Sequence, residues 1–256
     1  IYYTGDPVIN LTIMGLIISG GIGFITWADL LMNGRNFRAY RLQTKMVLTA
    51  TAALITVPAL IFYFLDFAGL SGGERVLASL FQSVTARTAG FNSVDLTGMT
   101  EAGRSILIVL MLIGGSPGST AGGFKTTTFF MLLAAAWSTF RLSKDVECFG
   151  RRVSETSLRQ ALTVFLMYVV FLLAGGLFIS YREGLAVLDC FFEAASAIGT
   201  VGLTIGVTAA SGDASRCVLM ALMFFGRIGG ITLIYAVHKD RKKQYARMPE
   251  ESVSAG

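Results

Sequence analysis

Two short segments of this chain have the residue types that a cation site built from backbone oxygens requires. They read TARTAGFN at residues 85–92 and SAIGTVGL at residues 196–203, so each has a threonine two positions before a glycine. Carbonyl oxygens can replace the hydration shell of a monovalent cation, and glycine allows backbone angles that a side chain would forbid. Gly90 and Gly202 therefore predict ion-coordinating turns, named here turn A (residues 88–92) and turn B (residues 200–204). The alternative is that both glycines only allow close helix packing, as small residues do in membrane bundles.

The similarity between the two segments extends beyond the turns and indicates an internal duplication. Residues 81–86 align with residues 192–197, and Gly199 is then a one-residue insertion. The alignment continues from residues 107–114 onto residues 219–226. A duplicated turn in the same context favours the ion-coordinating reading over simple packing.

A short apolar segment precedes each turn, at residues 76–87 and 187–198. With a rise of about 1.5 Å per residue, such a helix crosses only part of a bilayer. Both segments are therefore predicted to be re-entrant pore helices whose negative C-terminal ends point toward the ion. Non-helical backbone at membrane depth is tolerated inside protein or beside water, so both turns are predicted to face an aqueous path.

The composition places the chain in a bilayer. Hydrophobic residues make up 54% and charged residues 14%, whereas soluble domains carry about 25% charged residues; the mean hydropathy is +0.65. A spanning helix needs roughly 20 apolar residues. The stretches that approach this length are residues 11–31, 46–67, 158–181 and 217–237, with a fifth, 106–137, interrupted.

Basic residues are concentrated in three connections. These are Arg35, Arg38, Arg41 and Lys45, then Arg141, Lys144, Arg151, Arg152 and Arg159, and finally Lys239, Arg241, Lys242, Lys243 and Arg247. The positive-inside rule places all three in the cytoplasm, together with the C-terminus, and both turns toward the outside. Nucleic-acid binding by the basic tail is not expected, because a membrane helix flanks it.

Catalytic and metal-binding patterns are not found. Cys148, Cys190 and Cys217 lack metal or redox spacing and are predicted to be free thiols. His238 is the only histidine and has no nearby ligands to share a metal. Without a nucleophile–base grouping, phosphate loop or dinucleotide fingerprint, the chain is not predicted to be an enzyme or to carry a cofactor.

These motifs resemble the Trk/Ktr/HKT superfamily of potassium transporters, in which four membrane helix–pore helix–membrane helix repeats surround a central pore. Residues 85–92 resemble the third filter of that family, residues 199–203 the fourth, and residues 5–14 the stretch after the second. The resemblance implies an all-α membrane fold of such repeats. It also implies that the chain is the C-terminal part of a larger protein, because the N-terminal repeats have no counterpart in it.

The implied division has four parts. Residues 1–43 are the second membrane helix of repeat 2 and a cytoplasmic linker, 44–155 are repeat 3, 156–238 are repeat 4, and 239–256 are a basic cytoplasmic tail.

The implied site has a filter and a gate. The predicted filter residues are Thr88, Ala89, Gly90, Phe91, Asn92, Thr200, Val201, Gly202 and Leu203. The predicted K⁺ ligands among them are Thr88, Ala89, Gly90, Thr200, Val201 and Gly202. The predicted gating residues are Gly114, Gly115, Ser116, Pro117, Gly118, Ser119, Thr120, Gly122, Gly123, Lys125 and Arg227.

Each part of the gate has a second reading. The Gly-rich loop (residues 114–125) disfavours helix and is either an intramembrane gate, with hydroxyls lining water, or a kink repaired by neighbouring helices. Arg227 is deep in a membrane helix, where a charge is expensive, so it is either a pore-facing barrier or half of an ion pair. Lys125 belongs to the gate or extends to the cytoplasmic surface.

Three further charged residues are expected near the turns. Arg87 ends a pore helix, where a vestibule position or an ion pair is expected rather than ion contact. Glu193 and Asp189 are expected to hydrogen-bond neighbouring backbone.

The implied function is potassium uptake across the plasma membrane, either passive or coupled to a sodium or proton gradient. The alternatives are a non-conducting membrane scaffold and a sodium/potassium cotransporter with altered selectivity. The implied partners are the lipid bilayer, the N-terminal repeats, a second copy in a homodimer, and a cytosolic nucleotide-binding ring subunit.

Overall fold

The computed structural model describes residues 3–143, 145–230 and 232. Its helices are α1 (Pro7–Ile22), α2 (Phe24–Asn33), α3 (Leu42–Leu65), α4 (Gly72–Thr85), α5 (Glu101–Leu112), α6 (Thr126–Phe140), α7 (Glu155–Glu183), α8 (Val187–Ile198), α9 (Val207–Ala210) and α10 (Asp213–Ile228). Strands β1 (Glu147–Cys148) and β2 (Arg151–Arg152) form a small antiparallel hairpin between α6 and α7. The predicted all-α fold is confirmed.

Among the described helices, α3 and α7 are long and apolar enough to cross a membrane. The α1–α2 pair would be a third span only if its two helices are taken together, because they are bent by 93°. The structure thus differs from the single helix predicted for residues 11–31. Gly23 separates the two helices with φ 87° and ψ 146°, angles that no α-helix contains.

The helix predicted for residues 217–237 also differs from the structure. α10 begins at Asp213 and ends at Ile228, where Gly229 has φ 83° and ψ 140°. These angles nearly repeat those of Gly23, so α1 and α10 end in the same way. Residues 231 and 233–237 lie outside the described part of the chain.

One order of elements occurs twice: a long helix, a short helix, a turn and another apolar helix. α3, α4 and α5 form the first set, and α7, α8 and α10 the second. Each short helix packs against the long helix that precedes it, α4 against α3 and α8 against α7. Each also packs against an apolar helix from earlier in the chain, α4 against α1 and α8 against α5. The C-terminal ends of α4 and α8 are therefore buried in the bundle, and each turn begins there.

Pro58 lies within α3 and is accommodated by a side chain of α4. Proline has no N–H, so the carbonyl of Leu54 loses its helical donor. The Ser83 hydroxyl donates to the Leu54 carbonyl (3.1 Å) and to the Ile55 carbonyl (2.8 Å). In a bilayer this contact matters because lipid offers no replacement donor.

Small residues let α7 approach its neighbours closely. A β carbon at Gly176 would overlap the Phe191 ring of α8, and one at Gly175 would lie 2.7 Å from Leu222 of α10. Tyr168, which is buried, donates from its hydroxyl to the Gly226 carbonyl at 3.3 Å. These contacts fix α8 and α10, and hence turn B, relative to α7.

Candidate ion pathway

Turn A and turn B have the same unusual backbone. Thr88 and Gly90 have φ values of 67° and 73°, and Thr200 and Gly202 have φ values of 54° and 94°. A positive φ is uncommon for threonine and marks a constrained turn. In both turns the residue between threonine and glycine has a negative φ, so positive and negative φ values alternate.

The amide groups of turn B point back toward the end of α8. Thr200 N–H donates to the Ala197 carbonyl (3.0 Å), and Val201 N–H donates to the Ser196 carbonyl (2.9 Å). Gly202 N–H donates to the Ser196 hydroxyl (3.1 Å). All three acceptors belong to α8, so none of these hydrogen bonds uses a carbonyl group of the turn itself.

Turn A repeats this pattern at the end of α4, where Ala89 N–H and Gly90 N–H both donate to the Thr85 carbonyl at 3.2 Å. Within the described residues, six carbonyls of the two turns accept no hydrogen bond. They belong to Thr88, Ala89, Gly90, Thr200, Val201 and Gly202. Of these six residues only Val201 is buried and Gly202 is exposed, so the unbonded oxygens can be satisfied by water or by cations.

The other three predicted filter residues lie differently. The Phe91 carbonyl accepts from the Thr85 hydroxyl at 2.7 Å and is therefore not free. Asn92 is exposed. Leu203 is 2% exposed, so its side chain belongs to the hydrophobic core.

The two turns touch each other on one side only. A β carbon at Gly90 would overlap the Val201 carbonyl oxygen, whereas one at Gly202 would meet no described atom within 4 Å. The inserted Gly199 has a packing role, since a β carbon there would overlap the Met111 carbonyl of α5. Beside turn B is an open cleft of about 510 Å³ that extends from Glu193 to Arg227.

The Gly-rich loop is closed at its base by backbone hydrogen bonds. Gly114 N–H donates to the Phe124 carbonyl (2.9 Å), and Phe124 N–H donates to the Leu112 carbonyl (3.2 Å). Thr126 N–H donates to the Gly115 carbonyl at 3.1 Å. A β carbon at Gly114 would overlap the Gly122 carbonyl, so the two arms of the loop can meet only at glycine.

The same loop packs into the break between α1 and α2. Ser116 N–H donates to the Gly21 carbonyl (2.9 Å), and Phe24 N–H donates to the Gly118 carbonyl (3.2 Å). A β carbon at Gly23 would lie 2.6 Å from the Pro117 carbonyl oxygen. The loop thus satisfies the backbone groups that the helix break leaves open.

Arg227 and the loop, which were predicted to form one gate, are in direct contact. Arg227 Nη1 donates to the Thr120 carbonyl at 2.7 Å. A β carbon at Gly122 would overlap Thr200 Oγ1, so the loop also lies against turn B. Lys125 Nζ donates to the Ala121 carbonyl of the same loop at 2.7 Å.

The loop hydroxyls, predicted as a group to line water, have different surroundings. Ser116 is fully buried, and its hydroxyl lies 3.2 Å from Thr126 Oγ1. Ser119 Oγ accepts from Ala121 N–H at 3.4 Å, and Thr120 is exposed. Ser116 and Gly123, the latter with φ 69°, therefore shape the base of the loop.

The charged residues near the turns bring two corrections. The prediction for Arg87 is wrong: its side chain is buried, 7% exposed, and Nη2 donates to Thr51 Oγ1 of α3 at 3.4 Å. Among the described residues, the Asp189 carboxylate bonds no neighbouring backbone and pairs instead with Arg104 at 2.6 Å. Glu193 does accept a backbone hydrogen bond, from Ile205 N–H at 3.1 Å. His238 and the basic tail lie outside the described residues.

Comparison of the chain with known proteins finds relatives in one family. A family profile described as "TrkH: Cation transport protein" matches residues 1–245. The Ktr system potassium uptake protein B of Bacillus subtilis is 37% identical over 99% of this chain and 58% of its own length. The protein of the same name from Vibrio alginolyticus is 35% identical over 99% of this chain and 57% of its own length.

Two further matches agree with these. The potassium/sodium uptake protein NtpJ of Enterococcus hirae is 35% identical over 96% of this chain and 57% of its own length. The crystal structure of the potassium transporter TrkH from Vibrio parahaemolyticus superposes with a TM-score of 0.72 over 90% of this chain and 52% of that one, at 21% identity, and so shares the fold. The chain therefore spans little more than half the length of these relatives, which are transport proteins, and it belongs to the TrkH family of cation transport proteins.

Proposed function

We propose that this chain forms half of a potassium-selective path through the membrane. The observation that carries the proposal is the set of six unbonded carbonyls in two adjacent turns of identical handedness, each at the C-terminal end of a short helix. The helix ends contribute partial negative charge, and the carbonyls replace hydration water, so both features favour a cation. The names of the relatives supply the identity of the ion, K⁺.

Turn A and turn B would be the third and fourth strands of a four-strand ring. Gly90 of turn A already abuts turn B, whereas the corresponding face of Gly202 is open. We assign that open face to a further strand from the N-terminal repeats, with residues 1–43, 44–155, 156–238 and 239–256 as the four parts of this chain. The relatives are long enough to contain such repeats.

The Gly-rich loop and Arg227 would form a gate on the inner side of the turns. The hydrogen bond from Arg227 to Thr120 and the contact of Gly122 with Thr200 support this assignment, because they join the loop to both the arginine and turn B. A positive charge there raises the barrier for a cation until the loop moves it.

The setting of this function is a plasma membrane with the C-terminus in the cytoplasm. The segregation of basic residues supports that orientation. Assembly as a homodimer with a cytosolic nucleotide-binding ring subunit is part of the proposal, as is either passive or gradient-coupled flux. A sodium/potassium cotransporter is the second candidate, and the name of the Enterococcus hirae relative favours it.

Uptake by the assembled transporter in a potassium-uptake-deficient strain tests the proposal. Wild type is expected to restore growth at low K⁺, and Gly202→Ser to lower the preference for K⁺ over Na⁺. The matched control is Gly184→Ser, because Gly184 also has a positive φ and open space but lies at the end of α7. Wild type that moves no K⁺, or equal preferences in both variants, would contradict the proposal.

A further inference from the structure

Glu193 is a buried carboxylate next to turn B with an unusual set of donors. Its side chain belongs to α8, and the residue is 3% exposed. Oε1 accepts from the Thr204 hydroxyl (2.5 Å) and from Ile205 N–H (3.1 Å), and Oε2 accepts from the Thr208 hydroxyl (2.6 Å). Among the described residues it has no ion-pair partner within salt-bridge distance, so these donors alone offset its burial.

All three donors belong to the segment that follows the turn-B glycine. This segment, residues 204–208, begins at the last residue of turn B and includes the first two residues of α9. Glu193 lies on the same helix as Ser196, whose hydroxyl accepts from Gly202 N–H. Turn B is therefore fixed to α8 at Gly202 itself by Ser196, and beyond Gly202 by Glu193.

Among the described residues turn A has no counterpart of this carboxylate, and the segment beyond Gly90 is attached to α4 by one neutral hydroxyl, from Thr85 to the Phe91 carbonyl (2.7 Å). Gln82 of α4 aligns with Glu193, is fully buried, and neither atom of its side-chain amide has a hydrogen-bond partner among the described residues. Asn92 aligns with Thr204 and is exposed. The structure shows no hydrogen bond between the described side chains of Asn92 and Gln82. The two turns thus share a backbone but differ in how strongly the segment behind each is held.

Hydrogen bonds to a charged acceptor are about twice as strong as neutral ones. Three of them on one carboxylate hold residues 204–208 more firmly than an amide can, because an amide group has only one acceptor atom. In the snug-fit account of K⁺/Na⁺ selectivity, the carbonyls discriminate between cations because they keep their positions when a smaller ion is present.

We propose that Glu193 is a positioning residue that determines ion specificity, acting through residues 204–208 to hold the carbonyls of turn B at the spacing that favours K⁺ over Na⁺. The inference rests on the proposed function. It makes turn B the more selective of the two turns, and it assigns to one buried carboxylate a role that the Thr–x–Gly pattern does not reveal.

The experiment measures competition between Rb⁺ and Na⁺ uptake in the assembled transporter, with protein abundance in the membrane measured in parallel. Glu193→Gln keeps the side-chain volume and removes the charge, and Thr208→Val removes one donor and keeps the carboxylate. Both are expected to lower the Rb⁺/Na⁺ preference, Glu193→Gln by about tenfold, which is the scale of one lost charge-assisted hydrogen bond. The control is Ser211→Ala, because the Ser211 hydroxyl is buried and donates only to the Val207 carbonyl (2.7 Å); its preference is expected to stay at the wild-type value.

A purely structural role would lower abundance and leave the preference of the remaining protein unchanged, and that result would overturn the inference. If Glu193→Gln does not accumulate, Thr208→Val decides by the same criterion. Wild-type uptake of Rb⁺ with unchanged preference in both variants overturns the Glu193 assignment alone. A wild type that moves no Rb⁺ overturns the proposed function together with it.

Discussion

Hydroxyl and charged side chains around α4 and α8 satisfy backbone groups that lipid leaves without partners. The Ser83 hydroxyl donates to the Leu54 carbonyl, which Pro58 leaves without a helical donor. The Ser196 hydroxyl accepts from Gly202 N–H, and the Glu193 carboxylate accepts from Ile205 N–H. The residues of the turns could be predicted from their duplication. The partners of Arg87 and Asp189 could not, because Thr51 and Arg104 are 36 and 85 positions away in the sequence.

At this scale, Ser83→Ala is expected to destabilise the protein by about 1–3 kcal/mol, since the Leu54 carbonyl would remain buried without a donor. Ser79→Ala is the matched control: Ser79 is also buried on α4, but its hydroxyl bonds only the Arg75 carbonyl of its own helix. Thermal unfolding of both variants in detergent measures the difference. Equal shifts of the unfolding midpoint would show that the hydrogen bonds of Ser83 to α3 stabilise the protein no more than the bond of Ser79 within its own helix.

Helix lengths were predicted well where the apolar pattern is simple. α8 has the predicted bounds, and α4 begins a few residues before the predicted segment because its first turn is polar. The bend after Ile22 was not predicted, because glycines such as Gly20, Gly21 and Gly23 also occur within continuous membrane helices. Gly23 has a positive φ, and the Gly-rich loop packs into the break there through hydrogen bonds to Gly21 and Phe24.

The contact between α10 and that loop leads to a prediction about flux. Arg227→Ala is expected to raise maximal transport with little change in ion preference, because it removes both the charge and the bond to Thr120. Arg216→Ala is the control, since Arg216 also lies on α10 and donates to a carbonyl, that of Ala209 (3.1 Å). Flux per transporter is the measurement. Lower or unchanged flux in Arg227→Ala at normal abundance would mean that the arginine supports folding or coupling.

The whole molecule places the two turns side by side and leaves one face of turn B open. The sequence predicted two equivalent turns but not their contact, because the alignment says nothing about which faces meet. That information comes from Gly90 against Val201 and from Gly199 against Met111. The proposed orientation in the membrane is also a property of the whole molecule, and it rests on the distribution of charge.

Cysteines introduced at Gly72 and Arg38 test that orientation with a membrane-impermeant maleimide. Gly72 is expected to label from outside and Arg38 only after permeabilisation. Cys217, which is exposed, is first replaced by serine. Cys148 gives little background because burial raises the pKa of its thiol, which lowers the thiolate fraction at neutral pH. The reverse labelling pattern would overturn the positive-inside assignment.

The central claim is that backbone carbonyls of both turns coordinate the permeating ion. Thallium substitutes for K⁺ and is located by its anomalous scattering in crystals of the assembled transporter. The account predicts a peak in direct contact with carbonyl oxygens of turn A and turn B, next to Gly90 and Gly202. Thallium bound elsewhere, with no peak between the two turns, would contradict it.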